Sequence, residues 1–347
     1  MGYGLIYYLV SLIVNQKYAA SIWRIKEWLK MLNRNAEALF WIGRYIERAE
    51  NHARLINVHY HIQQEEDFQE EGHKWSRLID ALGVRSEYLQ QFETFSEQDV
   101  LSFITLDLGN SNSLFSCVHH ARNNLRTLRQ HLPSELWDVV NSFNLWLGER
   151  SVADIMSGPH HFYQQVKERA AMFLGAEQSV MLRGNEWHFI ESGRFLERAE
   201  NTTRILQAVI ASCRFKELNA IYIQLQAVLK SVSGYQAFRR YYADAMSPES
   251  ILDFLIANPK FPRSIRFSFH QLEEHLARLE LDSSEKGSGH EKVIRQAGKL
   301  KAELDYMEKE EMSGELVEDV LQSLVISCQR LGKTMEGAFF RREGVSV

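Results

Sequence analysis

Residues that break helices are scarce in this sequence, since five prolines and 19 glycines are the only ones among its 347 residues. Their combined fraction is about 7%, against roughly 12% in average proteins. Because tight turns depend on these two residue types, the sequence predicts long elements joined by few turns. Alternating apolar runs bounded by Asn-Gly or Asp-Gly are also missing, so β-hairpins have no support.

The three cysteines, Cys117, Cys213 and Cys328, lie too far apart in sequence to form a disulfide framework or a zinc-binding pattern. The sequence therefore argues against a small secreted domain that is stabilised by disulfides. We expect a cytoplasmic protein, because free cysteines are typical of a reducing compartment.

An excess of positive charge is absent as well. The 45 acidic residues outnumber the 40 lysines and arginines, and the net charge is −5, which argues against a broad nucleic-acid surface. Walker A loops, dinucleotide-binding glycine fingerprints and nucleophile elbows do not occur. The single Glu-x-x-His motif, Glu70–His73, falls in a polar segment, whereas a di-metal bundle needs paired motifs on facing helices. We expect no metal, no cofactor and no nucleic-acid partner.

An apolar run over Tyr3–Val14 stands near the amino terminus. It is shorter than the about 20 residues of a spanning helix, and it lacks the basic flank of a secretory signal. No membrane span is expected. A short docking helix and a translated upstream extension are both open; we favour an extension over residues 1–30, with Met31 as the natural start.

Apolar residues recur at steps of three and four along nearly the whole chain, as at Leu39, Ile42, Ile46, Ala49 and Ala53. This is the period of a helix that packs along one face, so the fold class is all-α. The Ser- and Gly-containing residues 282–290 are expected to be a linker. Helices are expected over residues 35–65, 72–91, 97–106, 112–131, 134–148, 160–182, 186–214, 217–232, 235–245, 249–257, 264–281, 290–311 and 314–336.

Two segments of the chain are nearly identical: residues 43–51 read GRYIERAEN and residues 193–201 read GRFLERAEN. A second pair, residues 103–125 and 254–276, aligns at nearly the same offset. The two matches predict a large bundle of two tandem repeats of about 150 residues around a pseudo-twofold axis. We assign residues 31–182 to the first repeat and residues 183–347 to the second, packed as one globular unit.

Each copy of the duplicated motif carries one polar stripe on its helix. The two stripes consist of Arg44, Glu47, Arg48 and Asn51, and of Arg194, Glu197, Arg198 and Asn201. Bulky apolar residues such as Trp41 and Trp187 flank them, so we expect both stripes to be at least partly covered by protein. Gly43 and Gly193 stand inside the two helices, where glycine costs about 1 kcal/mol relative to alanine. Their placement predicts the close approach of another backbone or of a ligand.

Three interpretations of the stripes are open. Buried arginine and glutamate must be paired, and the spacing allows a structural network through the pairs Arg44/Glu47, Glu50/Arg54, Arg194/Glu197 and Glu200/Arg204. Alternatively, each stripe has more arginine than glutamate, and surplus guanidinium groups bind carboxylate or phosphate. In the third interpretation the chain is an enzyme in which Glu47 or Glu197 acts as a general base.

A second anion site is a further possibility. Helix 112–131 carries on one face His119, Arg122, Arg126 and Arg129. The alternative is that this basic face meets the acidic face of the second copy, which contains Glu273 and Glu280. Arg263 and Arg266 stand at a helix start, where positive charge opposes the helix dipole; such a placement indicates pairing or ligand binding.

The opening from Met31, MLNRNAEALFWIGRYIERAENHARLI, resembles the start of the Alpha-E family of largely uncharacterised bacterial helical proteins. Further matching segments are SNSLFSCVHHARNNLRTLR at 111–129, VKERAAMFLGAEQSVMLRGNEWHFIESGRFLERAEN at 166–201 and NPKFPRSIRF at 258–267. The resemblance runs from Met31 to about residue 335. Members of the family begin at the equivalent of Met31, which favours the extension over the docking helix.

The resemblance also has implications for function. Members of the family occur beside ATP-grasp-like ligases and transglutaminase-like proteins, which implies a role in peptide- or amide-bond formation or modification. We therefore expect a protein that acts with such a partner and binds an anionic small molecule or peptide through its Glu-Arg stripes. The alternative is a purely structural interaction module whose stripes form internal salt bridges.

Overall fold

A computed structural model of the chain describes residues 35–60, 71–212, 218–242, 247–279, 288–312 and 316–340. Within these ranges every regular element is helical, which confirms the all-α prediction. The expected extension over residues 1–30, Cys213 and most of the expected linker lie outside the described residues.

The described chain forms fifteen α-helices, with a π-helical turn over Ser102–Leu106, a 3₁₀ turn over Lys309–Met312 and a second π-helical turn over Glu336–Phe340. The α-helices are α1 (35–60), α2 (Glu71–Leu82), α3 (Arg85–Tyr88), α4 (Glu97–Leu101), α5 (Leu114–Thr127), α6 (Ser134–Gly148), α7 (Val152–Ser157), α8 (Pro159–Val180), α9 (Asn185–Ser212), α10 (Leu218–Ser231), α11 (Tyr235–Tyr242), α12 (Pro248–Ala257), α13 (Ile265–Ala277), α14 (Ser288–Asp305) and α15 (Leu316–Met335).

Helices α1 and α9 carry the two copies of the duplicated motif and pack backbone to backbone. A Cβ atom on Gly43 would collide with the carbonyl oxygen of Ile190 and lie 2.9 Å from the nitrogen of Arg194. A Cβ atom on Gly193 would collide with the carbonyl oxygen of Phe40. Only glycine permits this spacing at both positions, so the expected close approach is confirmed as the crossing of two helices.

The remaining helices enclose this pair. Helices α13 and α15 pack on α9, and α14 packs on both of them. Helix α5 lies against α1, where Asn124 donates to the carbonyl oxygen of Ala38 and His120 meets the ring of Tyr45. Helices α6 and α8 continue the layer outward from α5. Each motif helix is thus flanked by a helix of its own half of the sequence.

The starts of α5 and α13 are built alike. Ser113 and Ser264, which are 151 residues apart, each accept a hydrogen bond from the backbone nitrogen three residues later, at 3.0 Å in both helices. This is the usual serine N-cap geometry. Asn110 and Asn258 precede these caps and each accept a backbone hydrogen bond through the side-chain oxygen. Such correspondence is what two repeats predict, and the division into repeats stays a prediction.

Several element boundaries differ from the sequence-based expectation. The helix predicted over 72–91 is divided, because Gly83 adopts a left-handed conformation with φ of 70° and ends α2. Helix α7 is absent from the sequence-based expectation; it is too short to show a period and is started by a capping box of Ser151 and Asp154. The helix predicted over 290–311 ends at Asp305 and is followed by the 3₁₀ turn.

Candidate functional site

The polar stripes of α1 and α9 face each other, and their central residues are buried. Glu47 is 1% exposed, Glu197 is 2% exposed and Arg198 is 6% exposed. The flanking aromatic residues add cover, since the Arg44 guanidinium lies over the rings of Phe40 and Trp41. Half of the stripe residues are buried, and the other half are partly buried: Arg48, Asn51, Arg194 and Asn201.

The centre of the site is a reciprocal pair of bidentate ion pairs. Arg198 of α9 donates Nε and Nη2 to the two carboxylate oxygens of Glu47 on α1, at 2.9 and 2.7 Å. Arg48 of α1 donates Nε and Nη2 to the two oxygens of Glu197 on α9, at 2.7 and 3.0 Å. The planar guanidinium fork matches the carboxylate in both pairs, so each pair fixes direction as well as distance.

Two further arginines donate hydrogen bonds to these carboxylates. Arg44 donates to Glu197 at 2.5 Å and to Glu200 at 2.6 Å. Arg263, from the segment between α12 and α13, donates to Glu47 at 2.9 Å and to Glu50 at 2.8 Å. We call these eight groups the inner network; it consists of Arg44, Glu47, Arg48, Glu50, Glu197, Arg198, Glu200 and Arg263. Four positive and four negative groups make the inner network electrically neutral.

Amide and carbonyl oxygens accept from further guanidinium nitrogens. Arg48 Nη1 donates to Asn112 Oδ1 at 2.8 Å, and Arg198 Nη1 donates to the carbonyl oxygen of Pro262 at 3.3 Å. Asn51 Oδ1 accepts from Arg263 at 2.8 Å, and Asn201 Nδ2 donates to Glu197 at 3.2 Å. Each arginine of the inner network therefore donates to at least two groups of this chain.

Other arginines of the motif pair within their own helix. Arg54 pairs with Glu50 and Arg204 pairs with Glu200, as their four-residue spacing predicts. The predicted pairs Arg44/Glu47 and Arg194/Glu197 are wrong. Both glutamates reach across to the opposite helix, so Arg44 pairs there as well, while Arg194 pairs with Glu191 one turn back along α9.

The arginines hold the pKa values of both central carboxyls low. Burial by itself would raise the pKa of Glu47, but Arg198 and Arg263 lower it far below its usual value. In the same way burial opposes ionisation of Glu197, and Arg44 with Arg48 lowers its pKa to about 2. A general base works best when its pKa lies near the working pH. Neither carboxyl has that property.

Nucleophilic chemistry has no support at the neighbouring cysteine. Burial raises the pKa of Cys117 to about 12, so the thiol stays protonated. His120, three residues further along α5, packs with a tilted ring against Tyr45, with 5.2 Å between ring centroids. Cys117 is fully buried and belongs to the apolar core.

The second anion candidate does not form a closed site. Arg122 donates to Asn141 of α6 and lies over the Trp137 ring, which Arg129 also covers. His119 contacts Asn144, and Arg126 is exposed. The alternative, that this basic face meets the acidic face of the second copy, is wrong, because α6 lies against it and Glu273 pairs with Lys301 of α14.

Sequence reasoning gives no partner for several members of the inner network. Arg263 stands out in the sequence only by its unfavourable place at a helix start, which leaves pairing and ligand binding open; in the structure it pairs with Glu47 and Glu50. Glu200 is expected to pair with Arg204 alone, whereas it also accepts from Arg44. Nothing in the sequence predicts that Asn112 accepts from Arg48, because this contact depends on the path of the loop before α5.

Two absences hold for the described residues alone. None of the helices in the described ranges has both the length and the apolar character needed to cross a membrane. The same residues contain no group of three or more histidine, cysteine, aspartate or glutamate side chains that could hold a metal ion.

Residues 31–340 match the Alpha-E family, which is described as a predicted alpha-helical domain with a conserved ER motif. The chain is also similar to uncharacterized proteins of Mycobacterium bovis and Mycobacterium tuberculosis, with 25% identity over 264 residues in each case. That alignment covers 70% of this chain but 29% of each relative, so the chain spans less than a third of the length of the curated relatives it matches. No solved structure matches the chain.

Proposed function

The chain belongs to the Alpha-E family, and from this premise we propose that it is a helical interaction module that serves an ATP-grasp-like ligase or a transglutaminase-like partner in peptide- or amide-bond metabolism. In this proposal the inner network holds α1 and α9 in register and does not bind the substrate. The observation that carries the proposal is the reciprocal bidentate pairing of Glu47 with Arg198 and of Glu197 with Arg48.

The internal pairing of the network favours a structural task. An anion entering the stripes would have to displace a carboxylate already bound at both oxygens. Among the buried network atoms of the described residues, the one without a hydrogen-bond partner is Glu50 Oε2. It is a carboxylate oxygen, which repels an anion.

The low pKa values of Glu47 and Glu197 favour a module over an enzyme that uses either residue as its base. Chemistry would then take place on a partner. The relatives fit this arrangement, because most of their length lies outside the part that matches this chain. The nature of the partner rests on the family resemblance, since relatives of this family occur beside ligase-type proteins.

We propose the cytoplasm as the compartment. Cys117 and Cys328 are free and buried, and the sequence offers no disulfide framework. An ATP-dependent ligase partner would be found in the same compartment.

The direct test is co-expression of the full chain with the ATP-grasp-like ligase of its own organism. The two proteins should elute as one complex in size-exclusion chromatography, and the ligase should form its amide product faster in the presence of the chain. The variant Gly175→Ala, at an exposed site with open space around it, should form the same complex and give the same ligase activity as the parent chain. Separate elution together with unchanged ligase activity would refute the module proposal.

The competing interpretation, a ligand site in the stripes, needs its own test. Arg48→Lys and Arg198→Lys keep the charge but lose the bidentate fork. Thermal unfolding is measured with ATP, glutamate and short acidic peptides, because a ligand of the native state raises the melting temperature. We expect both variants to melt lower than the parent and any ligand-induced rise to persist. A rise that disappears in both folded variants would establish the stripes as the ligand site.

A further inference from the structure

A cavity of about 500 Å³ opens where α9 begins, away from the inner network. Its walls are Arg183, Gly184, Asn185, Trp187, His188 and Arg278. We propose that this cavity binds the oxyanion of a small ligand, either a carboxylate or a phosphate. The lining contains two guanidinium groups and no carboxylate, and the proposal is independent of the module function.

The first cation, Arg183, is held in place by the protein. Its Nη2 donates to the carbonyl oxygen of Gln178 at 2.7 Å and to Gln178 Oε1 at 3.0 Å. Its guanidinium carbon lies 4.2 Å from the centroid of the Trp187 ring. An arginine fixed in this way by hydrogen bonds and stacking loses little further freedom when an anion binds its other nitrogens.

The second cation, Arg278, comes from the end of α13. Its Nη2 pairs with Glu274 Oε1 at 2.6 Å, and Glu274 belongs to the same helix one turn earlier. Burial has the largest effect on the pKa of the neighbouring His275, and the charges of His188, Arg194, Arg278 and Arg183 add to it, so that the pKa falls to about 3. Arg183 and Arg278 therefore both add positive potential around this histidine, although they come from elements far apart in sequence.

The backbone adds to this potential. Helix α9 is 28 residues long and starts at Asn185, so its first backbone N–H groups and the positive end of its dipole lie at the cavity. Gly184 has no side chain to cover these groups. The arrangement of a glycine before a helix start, with cations beside it, is common to many oxyanion sites.

An unused donor lies in the cavity wall. Trp187 is 9% exposed, and its buried Nε1 has no hydrogen-bond partner within the described residues. The indole is packed edge-on against His275, with 4.8 Å between ring centroids, which keeps it rigid. A buried donor without an acceptor is costly, and Trp187 is the residue of the cavity wall that carries one.

Besides Glu274, which pairs with Arg278, a second carboxylate stands at the edge of the site. Glu186 Oε2 lies 3.4 Å from the position that a Cβ atom on Gly184 would occupy. Glu186 is exposed, so a ligand can displace its side chain. Removal of this carboxylate should therefore tighten binding, in contrast to removal of either arginine.

The size of the cavity limits the ligand class. About 500 Å³ lies within the range of roughly 300–1,000 Å³ that is usual for small-molecule sites. This exceeds the needs of a single inorganic ion. The ligand is accordingly a small organic acid, an amino acid or a phosphorylated small molecule whose anionic end meets Arg183 and Arg278.

The test is isothermal titration calorimetry of the full chain with two probes, inorganic phosphate and L-glutamate. We expect at least one probe to bind, and Arg183→Ala or Arg278→Ala to weaken it by about tenfold or more. Glu186→Gln should strengthen it. The control is Arg129→Ala, since Arg129 is an exposed arginine that lies 4.7 Å from the Trp137 centroid without facing this cavity.

The outcomes separate cleanly. Preference for phosphate or for glutamate identifies which oxyanion the site accepts. Absence of binding by both probes up to about 10 mM would refute the proposal, as would an equal loss in the Arg129→Ala control. None of these variants touches the inner network, so a failure here leaves the module proposal standing, and a failed ligase complex leaves this site standing.

Discussion

Arg48 and Arg198 occupy matched positions on two helices, and each binds the glutamate that precedes the other. Arg48 of α1 takes both oxygens of Glu197, and Arg198 of α9 takes both oxygens of Glu47. The exchange means that neither motif is complete within its own helix. The Glu-Arg pair of the sequence is thus a contact between two copies of the motif, and its energetic weight can be measured.

The first prediction concerns a broken pair. Glu47→Leu removes the shared acceptor of Arg198 and Arg263 and leaves two buried guanidinium groups without it. Removal of one partner of a buried pair costs about 3–5 kcal/mol. The double variant Glu47→Leu/Arg198→Met should cost less than the sum of its single variants, by about 0.5–3 kcal/mol. Urea unfolding of the four proteins measures the coupling.

Glu149 supplies the control for this cycle, because it is exposed and lies 3.9 Å from Arg150. Glu149→Ala should change the free energy of unfolding by no more than about 0.5 kcal/mol. If Glu47→Leu lowers the free energy of unfolding by no more than Glu149→Ala does, the inner network has no structural task.

The second prediction concerns the helix crossing. Gly43→Ala and Gly193→Ala each place a methyl group against a backbone carbonyl of the opposite helix, which no rotamer change relieves. The two helices must separate, and we expect a loss of about 3 kcal/mol or more in the free energy of unfolding. Thermal unfolding followed by circular dichroism measures it.

Gly175 is the matched control for the crossing glycines. It lies inside α8, and nothing stands within 4 Å of the place that an alanine methyl group would take, so Gly175→Ala should stabilise the protein by up to about 1 kcal/mol. If all three substitutions shift the melting temperature in the same direction, the close crossing of α1 and α9 is not what sets their effect.

The third prediction concerns pH. Burial, together with the nearby charge of Glu191, raises the pKa of Glu177 to about 8. The folded state then keeps a proton that the unfolded state releases near its usual value of 4.5. Because the folded state binds more protons in this interval, stability falls as pH rises from about 5 to about 8. Glu177→Gln carries no such proton, so its unfolding free energy should fall less across the interval.

Urea unfolding at three pH values within this interval gives the slope for each protein. Glu149→Gln, which changes an exposed carboxyl, should leave the slope of the parent unaltered. Identical slopes for Glu177→Gln and the parent would show that Glu177 titrates as an ordinary carboxyl.

The fold class and the two polar stripes are predictable from the sequence because both depend on local periodicity. The apolar positions of α1, such as Ile42 and Ile46, are buried as their spacing predicts. The break at Gly83 is not predictable in this way, since a left-handed glycine within a periodic run leaves the pattern of apolar residues intact.

The ion-pair partners within the site are harder to predict from the sequence. Spacing of three or four residues predicts pairs along one helix, and this reasoning gave Glu50/Arg54 correctly but failed for Arg44 and Arg194. The failure has a geometric cause: the glycine crossing brings α9 so close that Glu197 lies nearer to Arg44 and Arg48 than to any arginine of its own turn. No one-dimensional pattern contains that distance.

The crossing at Gly43 and Gly193 also bears on how the protein can be divided or rebuilt. A truncated version that retains α1 without α9 would expose the groove at Gly43 and remove Glu197, the carboxylate that Arg48 binds. Swapping the first half for that of a distant relative would demand that both crossing surfaces be exchanged together. Engineers who wish to graft this domain onto another protein should therefore move it whole.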